Sequence, residues 1–362
     1  MSAYLVRRLL WGLGLLLVLT FVMYAVFSII PYDPGRILFP AGAPVPPAQL
    51  QAADHKLGVD RPFYEQYASF LQRLVEHGSL GHNFGGGTVA RTIADTGPPT
   101  AFLIVGGAIL MLAIAIPLGL LSARHPNTPI DRAILVIAVL GIALHPFVVG
   151  VLLKQASSKL GLFPTGGYCP MHKMTPPTTW TVYGGEQVPV AKLSHQLLEE
   201  FGYYKSPSVY CSGAPWPWRW FEHMVLPWFT FALFFLAFYV RMIRARLLET
   251  YNEPFVLTAR AKGADERRVL THHLLRPVSA TIVTMFAFDV GVGITAAMYV
   301  ETVFGLPGIA HQALTALGVG DEPGYDLPMM TGIILVVATT VIVLNILADL
   351  AAMKLDPRIQ PA

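Results

Sequence analysis

The stretch YNEPFVLTARAKGADERRVLTHHLLRP, from Tyr251 to Pro277, is polar, net basic and interrupted by Gly263, yet it sits between two long apolar runs. Asp, Lys and Arg each cost about 2.5–3.5 kcal/mol at the centre of a bilayer-spanning helix on insertion scales. The stretch must therefore face water while the runs on either side of it do not. Asn252 can cap a first helix, with Pro254 in the first turn, where backbone donors have no partner to lose. Gly263 suits a left-handed end to that helix, and Asp265 can cap a second one carrying Arg267, Arg268, His272 and His273 toward water or a partner. Phe255, Val256 and Ala259 form an apolar strip on the first helix, small enough to seat in another protein's groove. The bland alternative is an ordinary amphipathic linker.

Outward from this bend the chain is dominated by apolar sequence. Of 362 residues, 54% are hydrophobic and only 13% charged, where soluble domains carry about a quarter charged. About 20 apolar residues cross the ~30 Å hydrocarbon core. Six runs qualify, Leu9–Ile30, Thr100–Ala123, Ile130–Leu153, Met224–Leu248, Val278–Thr302 and Met329–Met353. The expected fold is an all-α integral membrane protein with six transmembrane helices. The first run follows Arg7-Arg8 like a leader peptide, but it is too long for a leader's core, and Pro31-Tyr32-Asp33-Pro34 is no small-residue cleavage site. It reads as a retained anchor.

With the N-terminus inside, segments 1–8, 124–129, 249–277 and 354–362, together with span ends bearing Arg132, Arg241, Arg244 and Arg246, hold 14 of the 25 Lys and Arg. The others are thinly spread over longer loops. Short-loop bias sets orientation, so both ends are expected in the cytoplasm. The net charge of +3 follows from that bias, and no basic, aromatic-interleaved tract points to nucleic acid.

Three loops fall on the outer side. In the first, Phe63, Tyr67, Phe70, Leu71 and Leu74 share one helical face within Pro62–Glu76; Gly78 to Gly87 breaks the pattern, and Thr88–Ile93 begins a short helix before the second span. The second, Lys154 to His223, is rich in Pro, Gly, Tyr and Trp, contains a helical fragment near Val190–Phe201, and ends in Pro215-Trp216-Pro217-Trp218-Arg219-Trp220, read as interfacial anchoring rather than substrate stacking. In the third, a short amphipathic helix follows Pro307, placed either across a pore mouth or on the lipid surface. The cysteines, Cys169 and Cys211, both lie in the second loop. They are candidates for a disulfide closing about 43 residues and worth roughly 4 kcal/mol on the chain-entropy model, the alternative being two free thiols. No other His or Cys stands at metal-ligand spacing near His145, whose pairing with Pro146 predicts a kink in span three.

Thr258-Ala259-Arg260-Ala261-Lys262-Gly263, followed by Glu266-Arg267-Arg268-Val269-Leu270, closely resembles the coupling segment of the inner-membrane permeases of bacterial dipeptide and oligopeptide ATP-binding-cassette (ABC) importers. Tyr4-Leu5-Val6-Arg7-Arg8-Leu9-Leu10, Leu57-Gly58-Val59-Asp60-Arg61-Pro62 with Tyr67, Phe163-Pro164-Thr165-Gly166-Gly167-Tyr168, Glu301-Thr302-Val303-Phe304 with Pro307-Gly308, and Leu355-Asp356-Pro357-Arg358 match in order along the chain. Leu257-Thr258-Ala259 stands where the general importer signature has Glu-Ala-Ala, a variation usual in the peptide branch, and Pro31-Tyr32-Asp33-Pro34 replaces the family's Pro-Gly-Asp-Pro. Residues 169–212 extend beyond the common pattern.

The resemblance implies the type I ABC importer permease fold. It divides this chain into a first helix and external loop (1–99), a five-helix permease core (100–353) with an external insertion (154–223) and a cytoplasmic coupling segment (251–277), and a tail (354–362). It also implies a second permease subunit, two cytoplasmic ATPases that bind ATP and Mg, and an external peptide-binding protein, in the cytoplasmic membrane of a bacterium. The ATPase-coupling residues it points to are Phe255, Thr258, Ala259, Arg260, Ala261, Lys262, Gly263, Asp265, Glu266, Arg267 and Arg268. No G-x-x-x-x-G-K-[ST] phosphate loop occurs, so hydrolysis belongs to the partners, and neither a cofactor nor a metal is expected in this chain.

Asp289, mid-span and followed by Gly291 and Gly293, is the candidate for the translocation pathway, weighed against a polar contact to the partner permease. Asn345 and Asp349, four apart on the last span, are expected to join helices. Import of nickel chelates or glutathione is the alternative within the family. From other classes, an ion-gradient transporter would need matched broken repeats, which are not evident, and a membrane scaffold would leave the bend without purpose. In protein taken from its native membrane, mass spectrometry of unreduced peptides is expected to find Cys169 linked to Cys211; free thiols alone refute the bridge.

Overall fold

A computed structural model describes residues 2–29, 44–83, 87–143, 145–168, 179–181, 187–189, 216–251, 253–269, 274–318 and 325–355, with Gly35 and Phe39. Among the described residues, five helices carry segments long and apolar enough to cross a membrane. They are α1 (Ser2–Ile29), α4 (Val89–Arg124), α7 (Trp216–Tyr251), α10 (Leu275–Phe304) and α12 (Leu327–Leu355). Between them lie α2 (Pro47–Leu57), α3 (Phe63–His77), α5 (Pro129–Ala143), α6 (Pro146–Leu160), α8 (Pro254–Ala261), α9 (Glu266–Arg268) and α11 (Ile309–Ala316). Extended pairing among the described residues comprises one antiparallel pair, β1 (Thr179–Thr181) and β2 (Gln187–Pro189), with Trp180 opposite Val188, and an isolated bridge between His82 and Thr88.

The expected third span is two helices. Proline at 146 has no amide to continue the ladder, and the His145 ring accepts from the Phe147 amide at 3.2 Å, capping α6 as a new start. Each piece has 15 residues and reaches about 22 Å, short of a bilayer core alone. The break packs on α10 through the His145 and Tyr299 rings, centroids 4.4 Å apart.

The N-terminal boundary of the second span also differs from expectation. Thr88–Ile93 does not form a separate short helix; α4 runs unbroken through Pro98, Pro99 and Pro117 over 36 residues. Proline's fixed φ is helical, so each ring removes an amide donor without forcing a turn when packing on both sides holds the helix. The packing here is close. A Cβ at Gly107 would stand 2.6 Å from Phe231, one at Gly119 would stand 2.7 Å from Ile243, and one at Gly106 would overlap the Trp228 indole, whose Nε1 donates to the Phe102 carbonyl at 2.9 Å.

Two apolar cores result. One joins α4, α7 and α10 around Leu103, Met224, Tyr239, Ile243, Val300 and Phe304. The other joins α1, α3, α11 and the start of α12 around Tyr24, Phe70, Ile309 and Met329. The face expected on α3 is the face it buries: Phe70 is 2% exposed, Phe63, Tyr67, Leu71 and Leu74 pack on the same core, and the Tyr67 hydroxyl donates to the Leu17 carbonyl at 2.9 Å. Helix α2 was not anticipated, although Pro47 at its start and left-handed Gly58 after its end are recognisable signals.

Of the tryptophans, Trp220 packs inward against Phe102 and Trp228, while Trp218 remains 60% exposed, as an anchor would be. The fragment near Val190–Phe201 and the pair Cys169 and Cys211 fall outside the described residues. Gly119→Val forces the α4–α7 contact apart and is expected to destabilise the protein by about 1–3 kcal/mol, read as a lower unfolding temperature of the detergent-solubilised protein than Gly14→Val, whose Cβ meets open space.

Candidate functional site

The bend after α7 is a short helix closed by a Schellman turn. Glu253, not Asn252, takes the N-cap position of α8, without a side-chain bond, and Pro254 is the first helical residue; Asn252 lies outside the described residues. At the other end the Gly263 amide donates to the Arg260 carbonyl at 2.8 Å and the Ala264 amide to the Ala259 carbonyl at 3.1 Å. Gly263 itself has φ +80, a conformation in which a Cβ is penalised. Asp265 takes the N-cap position of α9, again without a side-chain bond.

The apolar strip expected to seat in a partner faces the other way. Val256 is fully buried and Ala259 9% exposed, and with Val269 and Leu274 they belong to this chain's own core, Phe255 packing beside them. A short helix leaving a bundle has to cover the bundle's end first, and these are its apolar residues. What α8 offers outward is Leu257 at 56% exposure, with Thr258, Ala261, Lys262 and Gly263, continued by Asp265, Glu266 and Arg268. Arg260 is held at the edge of this surface, its guanidinium 4.1 Å above the Tyr251 ring and its Nε 2.9 Å from Glu266. Arg267 lies within α9, and His272 and His273 fall outside the described residues.

At the same end of the bundle, an unforeseen carboxylate gathers four elements. Asp131, in the first turn of α5 and 2% exposed, receives both arms of the Arg244 fork at 2.8 and 2.7 Å. Ser122 of α4 donates to its Oδ1, and the Asn127 amide donates to its Oδ2 at 2.8 Å.

Toward the opposite end a second carboxylate is wholly buried. Glu301 accepts from the Thr100 hydroxyl at 2.5 Å and from the His311 amide at 2.7 Å, and Thr100 in turn accepts from the Ile309 amide at 2.8 Å. Thr100 and Glu301 together thereby satisfy orphan donors that open α11. The room Glu301 occupies is the missing side chain of Gly308, where any Cβ would overlap the carboxylate. Nearby, Lys154 donates to the Val303 carbonyl at 2.7 Å and the Gly167 amide to the Phe304 carbonyl at 2.8 Å, so the Phe163–Tyr168 and Glu301–Phe304 segments form one edge. The helix expected after Pro307 is thus α11, held on this edge through Thr100 and Glu301.

Asp289 accepts from the Tyr239 hydroxyl at 2.8 Å within this chain, beside exposed Phe288 and Val292. Of the pair on the last span, Asp349 does join helices, 2.5 Å from Arg8 of α1, whereas the Asn345 amide turns back to the Val341 carbonyl of its own helix. Among the described residues no group of His, Cys, Asp and Glu could hold a metal ion.

Two family profiles match the chain. The binding-protein-dependent transport system inner membrane component matches residues 115–361, and the N-terminal component of such membrane proteins matches residues 1–87. A protein named as a peptide permease in Brucella suis is 31% identical over 99% of both chains. An oligopeptide transport system permease protein of Bacillus subtilis is 29% identical over 99% of this chain and all of its own. An Escherichia coli permease named for D,D-dipeptide transport is 29% identical over 98% and 96%. Glu301→Ala leaves the amides of α11 without an acceptor and is expected to lower the unfolding temperature sharply, by an amount equivalent to about 2–4 kcal/mol; Glu301→Gln, which keeps one acceptor oxygen, is expected to fall between Ala and wild type in the same melt.

Proposed function

We propose a cargo and a mechanism from a membership that is plain: the chain belongs to the family of inner-membrane components of binding-protein-dependent transport systems. It is a multi-pass membrane protein and a transport subunit of an ABC system. The cargo we propose is a di- or oligopeptide, supported by the names of relatives aligned over nearly the whole chain.

In this reading the pore is formed by this subunit and a second permease. Helices α5 and α6 together make a sixth crossing, both termini are cytoplasmic, and an external binding protein hands peptide to the face carrying α3 and α11. Two ATPases bind ATP and Mg on the cytoplasmic side. The single observation carrying the coupling role is the exposed surface of α8 and α9 on a base buried in the permease core: a partner can grip Leu257, Thr258, Ala261 and Lys262, and displacement passes through Val256 and Val269 into the bundle. Gly263 sets the angle between the two short helices. The grip needs no chemistry from this chain, only stiffness.

Asp289 remains our candidate on the peptide's route. The oxygen bonded by Tyr239 is held in place, which leaves the carboxylate's other oxygen able to meet an ammonium group. Gly263→Val forces a β-branched residue into the left-handed region, a strain of roughly 1–2 kcal/mol. In vesicles reconstituted with both permeases, the ATPases and the binding protein, this variant is expected to hydrolyse ATP with peptide uptake reduced at least severalfold. Uptake at the wild-type rate refutes the coupling role.

A further inference from the structure

We infer that the Asp131–Arg244 pair is a positioning joint that makes α4 and α5 follow α7 when the bend is displaced. The inference rests on the coupling role proposed for α8, and it adds which part of the bundle is dragged.

The geometry is a chain of stiff contacts. Tyr251, the last residue of α7, stacks under Arg260 of the bend. Arg244 lies seven residues earlier on α7, about two turns and 10 Å away. Its fork meets both oxygens of Asp131. A bidentate pair fixes orientation as well as distance, so α7 cannot rotate past α5 without breaking two bonds at once. The same carboxylate holds Ser122 near the end of α4 and the amide of Asn127 in the connecting loop. Asn127 stands at φ 63, the one non-glycine residue with positive φ among those described, so the loop adopts a conformation that costs energy and that the Asp131 bond supports.

Burial makes the joint hard to open. Asp131 is 2% exposed and the Arg244 side chain 20%, and removing one partner of such a pair leaves the other charge uncompensated. Four donors occupy the four acceptor positions of the carboxylate. A pair placed only for stability would be as useful anywhere in the bundle. This one sits between the bend and the start of the broken α5–α6 crossing, where movement must be relayed.

The test uses the complete assembly in vesicles and reads the ratio of ATP hydrolysed to peptide imported, which a loss of folded protein lowers in neither term relative to the other. Asp131→Asn and Arg244→Gln are each expected to raise that ratio about fivefold or more, and the double variant by no more than either alone, because one joint is being cut. Arg244→Lys, which keeps the charge but not the fork, is expected to fall between. Ser122→Ala, which unpairs no charge, serves if the stronger variants fail to assemble, with an expected rise of about twofold. A lower unfolding temperature with an unchanged ratio overturns the inference. Its failure is distinct from failure of the coupling role itself, which shows instead as wild-type uptake by Gly263→Val.

Discussion

A buried carboxylate at the end of a membrane helix decides how the rest of this chain can be arranged. Glu301 stands where the polypeptide leaves the core built on α4, α7 and α10 and enters the one built on α1, α3 and α12. A carboxyl group that far from water is tolerable only with hydrogen-bond partners aimed at it, and Thr100 and the start of α11 supply them. Helix α11 is therefore pinned at its first residues by Thr100 and Glu301 and at its last by the Asp326 amide on the Ala316 carbonyl. The two cores become one body through this short segment.

The same logic recurs near the other end with different partners. Asp131 binds a side-chain cation rather than a row of backbone amides, and it organises a loop rather than a helix start. Between the two carboxylates the helices meet through small residues, where Gly107 and Gly119 let α4 approach α7. Packing of that kind holds helices in lipid, where apolar burial no longer distinguishes neighbour from solvent. The α8 and α9 surface then projects from a closely packed base, with Val256 and Val269 buried in it. The coupling role proposed for that surface asks for such a base.

Much of this was written locally. Hydropathy located five of its six expected runs as long apolar helices because a bilayer demands such runs, Gly263 announced its own backbone, and the spacing of Phe63, Tyr67, Phe70 and Leu74 named the inner face of α3. The misreadings share a cause. Amphipathicity says that Val256 and Ala259 must be covered but not by what, and the covering surface comes from distant helices of the same chain. Asp131 and Arg244 are 113 residues apart and Thr100 and Glu301 are 201 apart, separations that no periodicity encodes. Pro146 promised a bend, whereas the His145 cap that turns it into a fresh helix start depends on a ring orientation only three dimensions reveal.

Gly308 and Glu301 also bear on how such a chain can drift over generations. The hollow left by one residue is the seat of the other's carboxylate. A descendant acquiring a side chain at 308 would inherit a collision, and one losing the acid at 301 would inherit a vacancy lined with dangling amides. Each residue thus limits what the other position can hold, although the two stand seven apart in the chain.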